Sequence, residues 1–294
     1  MKRFQSGRLA VLALAIACTS EPTGPVSPGP SFGIIVVDGA ATGWRPVASN
    51  EPVFSNVWNS LAQSFTAEDR RVSFGFRMLD CLDPNYCGTG LPDEGAPIVY
   101  NLYAGENSYT TLLATRTIGL PSILPPGPLF GDVGFAEVDL TDIVLTVGQR
   151  YTIEITVPTA NRPSLGDHGG FGVWASHANP YSGGRFFFTP DAPVSEYNDS
   201  FLDDDLFFRV TPASATQLLA ALSAEVVGLR RGTSLADKMA IARARFNSGE
   251  VRKACEALNA LRNEVRAQTG KNITLIDAQK LIADVEDLRT ALAC

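Results

Sequence analysis

Residues 151–157 read Tyr151-Thr152-Ile153-Glu154-Ile155-Thr156-Val157, an alternation of apolar and polar side chains that decides the fold of the first part of the chain. Successive side chains of a β-strand point to opposite faces, so this segment predicts a strand with one apolar face. The same period of two recurs at 72–76 and 135–140. Further strands are predicted at 34–37, 63–66, 98–104, 111–118, 171–175, 185–188 and 206–210. Many short strands separated by turn signals favour a two-sheet antiparallel β-sandwich and, among sandwiches, a jelly roll.

The pattern changes after Pro212, where apolar side chains begin to recur at helical spacing. Four such stripes predict four amphipathic helices. The predicted helix starts are capped by Ser214, Ser234 and Thr274, and the predicted ends lie at Gly232, Gly249 and Gly270. Short connections make neighbouring helices antiparallel, which predicts a small four-helix bundle. The chain is therefore predicted to be a multidomain β + α protein, with a β-sandwich domain at 34–212 and a helical domain at 213–294.

The two predicted domains differ in charge. Residues 34–212 carry nine Arg against twenty-one Asp and Glu, a net charge of −12, whereas 213–294 carry twelve Lys and Arg against nine acids, or +3. A phosphate backbone needs a cationic surface, so the acidic domain argues against nucleic acid or anionic lipid as its ligand. The small positive excess of the helical domain is spread over helix faces and indicates solvated surface.

The first 18 residues are predicted to be a signal peptide. Lys2, Arg3 and Arg8 supply a positive start, and the apolar run at 9–17 is too short to span a bilayer. Residues 19–33 contain four prolines and are predicted to form an extended linker, since proline interrupts helices and sheet ladders.

The end of the signal peptide, Ala15-Ile16-Ala17-Cys18, resembles the lipobox of bacterial lipoproteins. This resemblance implies that Cys18 is acylated and becomes the mature N-terminus, which attaches the protein to a membrane. Thr19 rather than Asp follows the cysteine, which by the same resemblance implies the outer membrane. The alternative is ordinary cleavage near Ala17 and secretion, which would leave Cys18 as a free thiol.

Cys81 and Cys87 flank the segment 82–86, where Pro and Asn favour a turn that brings the two side chains together. We expect them to form a disulfide, because an exported protein matures in an oxidising compartment. The alternative, a zinc site, needs further thiol or imidazole ligands nearby, and neither His168 nor His177 has the required spacing.

A series of short motifs resembles, in its order, the jelly-roll modules appended to bacterial surface proteins. The motifs are Gln63-Ser64-Phe65, then 99–105, 144–153, 179–184 and 205–210, and the resemblance covers roughly 60–212. Such modules are similar in architecture to carbohydrate-binding domains. The resemblance therefore makes polysaccharide the leading hypothesis for a ligand.

The last eighty residues resemble the FIMAH-type helical domain of bacterial exported proteins. The matching features are Ser234-Leu235-Ala236-Asp237-Lys238, Gly249, 254–258, 265–271 and the terminal Cys294. The resemblance covers nearly all of 215–294, implies that Cys255 pairs with Cys294, and supplies no catalytic residues. Straight helices would place Cys294 roughly six residues, or about 9 Å, beyond the level of Cys255. The last helical turn is therefore expected to bend back.

Two further sites are predicted in the sandwich domain. Trp174, Tyr181 and Arg185 surround an Asn-Pro-Tyr-Ser-Gly-Gly segment, where aromatic rings stack on a sugar and Arg donates hydrogen bonds, unless Trp174 packs in the core instead. The second site is a cluster of four acids, Asp199, Asp203, Asp204 and Asp205. It is predicted either as a structural calcium site or as a hydrated acidic loop.

The sequence carries no established catalytic motif: there is no Gly-x-Ser-x-Gly elbow, His-Glu-x-x-His, phosphate-binding loop or EF-hand loop. We therefore expect a non-catalytic lipoprotein of the cell surface or outer membrane that recognises polysaccharide or adheres through its sandwich. One alternative is a secreted hydrolase in which two of the acidic residues named above converge in a pocket with Trp174 or Tyr181. Another is a structural envelope component whose helices dock another protein. Exposed aromatic rings on a sheet face would favour sugar binding. A buried pair of carboxylates would favour hydrolysis, and a contiguous apolar patch on the helices would favour assembly with another protein.

Overall fold

Thirteen strands and four helices form the described part of the computed structural model. The described residues are 34–39, 41, 43–47, 49–51, 56–81, 97–106, 111–120, 130–158, 171–176, 180–190, 205–229 and 233–294. The strands are β1 Ile35–Val37, β2 Gly43–Pro46, β3 Ser49–Glu51, β4 Asn56–Thr66, β5 Val72–Cys81, β6 Pro97–Ala104, β7 Leu112–Gly119, β8 Phe130–Asp139, β9 Arg150–Thr156, β10 Phe171–Ser176, β11 Phe186–Pro190, β12 Asp205–Leu206 and β13 Phe208–Pro212. The helices are α1 Ala215–Gly228, α2 Thr233–Asn247, α3 Val251–Gln268 and α4 Leu275–Ala291.

The strands form two antiparallel sheets. The seven-stranded sheet has the order β1-β13-β5-β10-β12, with β2 paired to β10 and β8 paired to β5. The six-stranded sheet has the order β11-β4-β9-β6-β7, with β3 paired to β4. The alternating segment at 151–157 supplies most of β9, which pairs with β4 on one side and β6 on the other. The prediction of antiparallel sheets followed by four helices is confirmed.

The two sheets share one apolar core. Phe65 of β4 packs against Phe74 of β5 with ring centroids 5.5 Å apart, and Phe76 of β5 packs against Tyr100 of β6 at 5.8 Å. Tyr100 is 1% exposed, and its hydroxyl donates to the carbonyl of Ala136 in β8 at 2.8 Å, so its polar atom is satisfied inside the core. Burying each such side chain stabilises the fold by about 1.5–3 kcal/mol.

Two of the predicted helix caps are confirmed. The Ser214 hydroxyl accepts the backbone N–H of Gln217 at 3.3 Å, and the Gln217 side chain accepts the Ser214 N–H at 2.9 Å, which completes a capping box before α1. The Thr274 hydroxyl accepts the backbone N–H of Asp277 at 3.1 Å before α4.

Among the described residues, no helix is both long enough and apolar enough to cross a membrane.

The predicted cap at Ser234 is wrong, because α2 already begins at Thr233 and Ser234 lies within the helix. Its hydroxyl donates instead to the Glu264 carboxylate of α3 at 2.9 Å, so a contact between helices takes the side chain that the pattern assigned to a cap. Gly249 and Gly270 follow α2 and α3 with φ of +73° and +74°, a backbone conformation that glycine adopts without steric cost. Gly232 lies outside the described residues.

Cys255 of α3 and Cys294 form a disulfide, as predicted, with their Cα atoms 5.7 Å apart. The chain leaves α4 at Ala293, which has φ of +55°. The N–H of Ala293 bonds the carbonyl of Thr290 at 3.0 Å, and the N–H of Cys294 bonds that of Arg289 at 2.8 Å. This pair of bonds is a Schellman motif, and it provides the expected bend after the last helical turn.

A buried ionic cluster joins the helices to the sandwich. It consists of Arg70 and Arg71, which precede β5, together with Glu225 of α1 and Asp284 and Asp287 of α4. Arg71 and Asp284 are 5% and 3% exposed and form two bonds, Nε to Oδ1 at 3.3 Å and Nη2 to Oδ2 at 2.7 Å. Arg70 reaches Asp287 at 2.6 Å, and Arg71 reaches Glu225 at 3.4 Å. Burial raises the pKa of Glu225 and of Asp287, and the charge of Lys280 offsets part of this shift at Glu225 as Arg70 does at Asp287.

Candidate functional site

A groove of about 420 Å³ lies where β6 ends and β9 begins. Its lining residues are 104–106 and 148–151. These segments meet because β6 and β9 are antiparallel and Ala104 is paired with Tyr151. Gly105 and Gly148 shape the two sides with φ of +89° and +81°, which favours glycine at both turns. The backbone N–H of Gly105 also bonds the carbonyl of Arg150 at 2.9 Å, which fixes the two sides relative to each other.

Glu106 and Arg150 line this groove, and together with Ser64 and Arg185, which contact Glu106 from beside it, they are called the Glu106 cluster. Arg150 donates from Nη1 to Oε2 of Glu106. Arg185 Nε lies 3.8 Å from Oε1, and the Ser64 hydroxyl donates to Oε1 at 3.3 Å. The side chains of Arg150 and Arg185 are 43% and 45% exposed, whereas that of Glu106 is 23% exposed. The cluster thus presents planar guanidinium donors beside a carboxylate acceptor at the edge of a groove.

Arg185, one of the three predicted ligand residues, is held in place by β4. Its backbone N–H donates to the Ser64 hydroxyl at 2.8 Å, and its carbonyl accepts the Ser64 N–H at 2.8 Å. Gly184 permits this approach, because a Cβ there would lie 1.8 Å from the Ser64 carbonyl oxygen. The close backbone contact therefore positions Arg185 beside Glu106.

Tyr181, the second predicted ligand residue, is half-buried in the turn that precedes Arg185. Its hydroxyl accepts the backbone N–H of Thr66 at 3.1 Å, and its ring packs edge-on against Phe208 at 5.2 Å. Gly183 lies against the ring, since a Cβ there would come within 2.5 Å of it. Burial raises the pKa of the hydroxyl. These contacts give Tyr181 a structural role in fixing the turn.

Trp174, the third predicted ligand residue, lies in a strand rather than in the turn that holds Tyr181. It belongs to β10 of the seven-stranded sheet, is partly buried and packs against the sandwich core, as the packing alternative stated. Arg185 directly precedes β11 of the six-stranded sheet. The structure therefore brings Tyr181 and Arg185 into one turn, whereas Trp174 lies in a strand of the sheet opposite to the one that Arg185 precedes.

Asp205 is fully buried and links the two sheets. Its carboxylate accepts the Gln63 side chain at 2.8 Å and the backbone N–H of Tyr181 at 2.8 Å, so hydrogen bonds engage both oxygens. The side-chain Oε1 of Gln63 in turn accepts the N–H of Leu206 at 3.1 Å. The other members of the predicted calcium site, Asp199, Asp203 and Asp204, lie outside the described residues. Within the described part of the chain, no group of three or more His, Cys, Asp or Glu is arranged to hold a metal ion.

Glu154 is a buried carboxylate that the sequence did not single out. It is 7% exposed and accepts hydrogen bonds from Ser60 at 2.5 Å, Asn101 at 2.8 Å and the Tyr103 hydroxyl at 3.1 Å. Burial and then the negative charge of Glu154 raise the pKa of Tyr103. In the sequence, Glu154 stands between two isoleucines of a predicted strand. Its hydrogen bonds could not be predicted from that pattern, because its three partners come from two other strands.

Glu154 and Asp205 do not form the carboxylate pair that a hydrolase would require. Ile153 and Ile155 belong to the core, so alternation places Glu154 on the opposite face of β9. Asp205 bonds to Gln63, which is paired with Ile153 and shares its face. The two buried acids therefore lie on opposite faces of the six-stranded sheet.

Several predictions fall wholly or partly outside the described residues. The signal peptide with Cys18, the linker at 19–33, His168 and His177 all lie there. Cys81 is the last residue of β5, but its predicted partner Cys87 is not among the described residues.

Neither a protein-family model nor a curated protein sequence matches the chain. The function is therefore inferred from the geometry of the groove and the Glu106 cluster.

Proposed function

We propose that the chain is a non-catalytic, lipid-anchored protein of the outer membrane or cell surface that binds polysaccharide through its β-sandwich. In this proposal the sandwich is a jelly-roll module and the helices form a FIMAH-type bundle. One observation carries the proposal: the Glu106 carboxylate is held between two half-exposed arginines at an open groove. Polysaccharide is the ligand class that best fits this arrangement.

The chemistry of the groove suits sugar hydroxyls, which both donate and accept hydrogen bonds. Arg150 and Arg185 are donors, Glu106 is an acceptor, and the Gln149 amide in the lining supplies both kinds of group. The existing bonds among these side chains limit the conformational entropy lost when a ligand binds. The groove volume of about 420 Å³ is within the range of small-ligand sites, about 300–1,000 Å³.

The proposed location outside the cytosol is supported by the Cys255–Cys294 disulfide. Disulfides persist in oxidising compartments and are rare where thiols are kept reduced. The basic start and short apolar run of the first 18 residues support export, and Cys18 supports attachment through a lipid.

A glycan array probed with the purified protein, with and without calcium, tests the proposal. We expect binding to at least one polysaccharide, and a loss of about tenfold or more when Arg150 or Arg185 is replaced by Ala. The matched control is Arg209→Ala, because Arg209 is 36% exposed and pairs with Glu137 in the other sheet. Binding to no glycan, or an equal loss in the Arg209 variant, would reject the proposal.

A further inference from the structure

The loop at 141–149, which carries one side of the groove, is held by the segment 67–71. The N–H of Leu145 bonds the carbonyl of Arg70 at 2.7 Å. Closer to the groove, Gly148 donates to the carbonyl of Ala67 at 2.8 Å, and Ala67 donates to the carbonyl of Gln149 at 2.9 Å. The positions of Gly148 and Gln149 in the groove therefore depend on where the 67–71 segment lies.

The same segment is held from its other side by the helices. The Arg71 side chain donates from Nη1 to the carbonyl of Thr141 at 2.5 Å and from Nη2 to Asp284 of α4 at 2.7 Å. Arg71 and Asp284 are almost fully buried, so neither charge has water as an alternative partner. One guanidinium thus connects the start of the 141–149 loop to α4.

We propose that the helical part of the chain positions the groove, and that Asp284 is the residue through which it does so. Asp284 orients Arg71, and Arg71 with its neighbouring backbone holds the 141–149 loop and hence Gln149 and Arg150. Asp284 acts as a positioning residue, and the lining of the groove does not include it. As a statement about ligand binding, the inference rests on the proposed function; as a statement about loop order, it does not.

The charges that face Arg71 explain why removing the charge of Asp284 should disturb the 141–149 loop. Besides Asp284, the guanidinium meets Glu225 at 3.4 Å, and Glu225 also pairs with Lys280 at 2.8 Å. Removing the Asp284 charge leaves a buried cation whose remaining carboxylate is shared with Lys280. Breaking one side of a buried ion pair is costly, so we expect the loop to open more often.

Amide hydrogen exchange on the full chain tests the inference without any ligand. In Asp284→Asn we expect the amides of Leu145 and Gly148 to exchange roughly tenfold faster or more, while those of β9 stay protected. The matched control is Glu286→Gln on the same helix, because its partners Arg262 and Arg289 both lie in the helices. The control is expected to leave the loop amides unchanged.

Two further variants keep the test decisive. Arg71→Lys retains the charge but loses the two-bond geometry, so it should give intermediate exchange at Leu145. If Asp284→Asn accelerates all amides together, Asp287→Asn is measured instead, because Asp287 holds only the half-buried Arg70, and a smaller, local acceleration is expected. Unchanged loop exchange in Asp284→Asn, or only global acceleration in both variants, would overturn the inference.

Ligand binding then separates the two proposals. Where the wild-type protein binds a glycan, Asp284→Asn should raise the Kd by about the factor by which it accelerates exchange of the Leu145 and Gly148 amides. Glu286→Gln should leave the Kd unchanged. An equal affinity in Asp284→Asn and wild type would refute positioning while leaving the groove as the binding site. Absence of glycan binding by the wild-type protein would refute the proposed function, whereas the exchange result would still decide whether the helices order the loop.

Discussion

Replacing Arg71 with Met is predicted to lower the free energy of unfolding by about 3–5 kcal/mol, because the buried Asp284 carboxylate then keeps only Arg70, whose Nη2 lies 3.2 Å from Oδ1, as a cation. Asp284 is 3% exposed, and its two oxygens lie 3.3 and 2.7 Å from the Arg71 guanidinium. The substitution also removes the bond to the Thr141 carbonyl. The converse change, Asp284→Leu, is expected to cost a similar amount, since it leaves the guanidinium buried with a more distant acid.

The double variant Arg71→Met/Asp284→Leu is predicted to cost far less than the sum of the two single changes. It removes both buried charges, and apolar side chains in place of a buried ion pair are often close to neutral. With about 3–5 kcal/mol for each single change and at most about 2 for the pair, the coupling energy is at least about 4 kcal/mol.

Urea unfolding at pH 7, followed by circular dichroism, measures the three variants against the wild type. The control cycle uses Arg209 and Glu137, which pair at 2.8 Å with side chains 36% and 38% exposed, and whose coupling should be about 0–1 kcal/mol. A coupling between Arg71 and Asp284 no larger than that of the control pair would refute the reasoning, because burial would then add nothing to the interaction.

Three further predictions concern local structure. Ala293→Gly should raise the free energy of unfolding by about 1 kcal/mol in thermal unfolding of the oxidised protein, because position 293 has φ of +55°; no gain would mean that the bend is unstrained. Gly184→Ala should lower stability by about 1–3 kcal/mol, because the new Cβ would lie 1.8 Å from the Ser64 carbonyl oxygen; an unchanged melting temperature would contradict this contact. A hydrogen bond from Lys238 lowers the pKa of Glu264 below its ordinary 4.5, so this carboxylate contributes stability above about pH 4.5 that is lost as the pH falls through its folded pKa. Glu264→Gln should therefore flatten the acid limb of a stability–pH profile, and an identical limb in both proteins would count against the prediction.

Local patterns predicted much of the fold, because the forces behind them act within one strand or one helix end. Alternation at 151–157 correctly placed Ile153 and Ile155 in the core. The caps at Ser214 and Thr274 depend on hydrogen bonds that span three residues. In contrast, β2 and β3 were missed, since Gly43–Pro46 and Ser49–Glu51 carry neither the apolar run that marked β1 nor an alternation of apolar and polar side chains.

The candidate site was less accessible from the sequence, because its contacts join distant positions. Arg71 and Asp284 are 213 residues apart, and nothing near either one indicates its partner. Arg185 was singled out beside aromatic residues, whereas its charged neighbour in the structure is Glu106. Such pairs are set by sheet order and by the packing of the helices on the sandwich, and these depend on the whole chain.

Titration calorimetry with a polysaccharide that binds on the array tests most directly the claim that the Glu106 cluster is the binding site. Glu106→Gln keeps the shape of the side chain but removes the charge that holds Arg150 and Arg185, and it is predicted to raise the Kd about tenfold or more. Glu137→Gln, which changes a half-exposed carboxylate paired with Arg209 in the other sheet, should leave the Kd unchanged. A Kd for Glu106→Gln equal to that of the wild type would contradict the account.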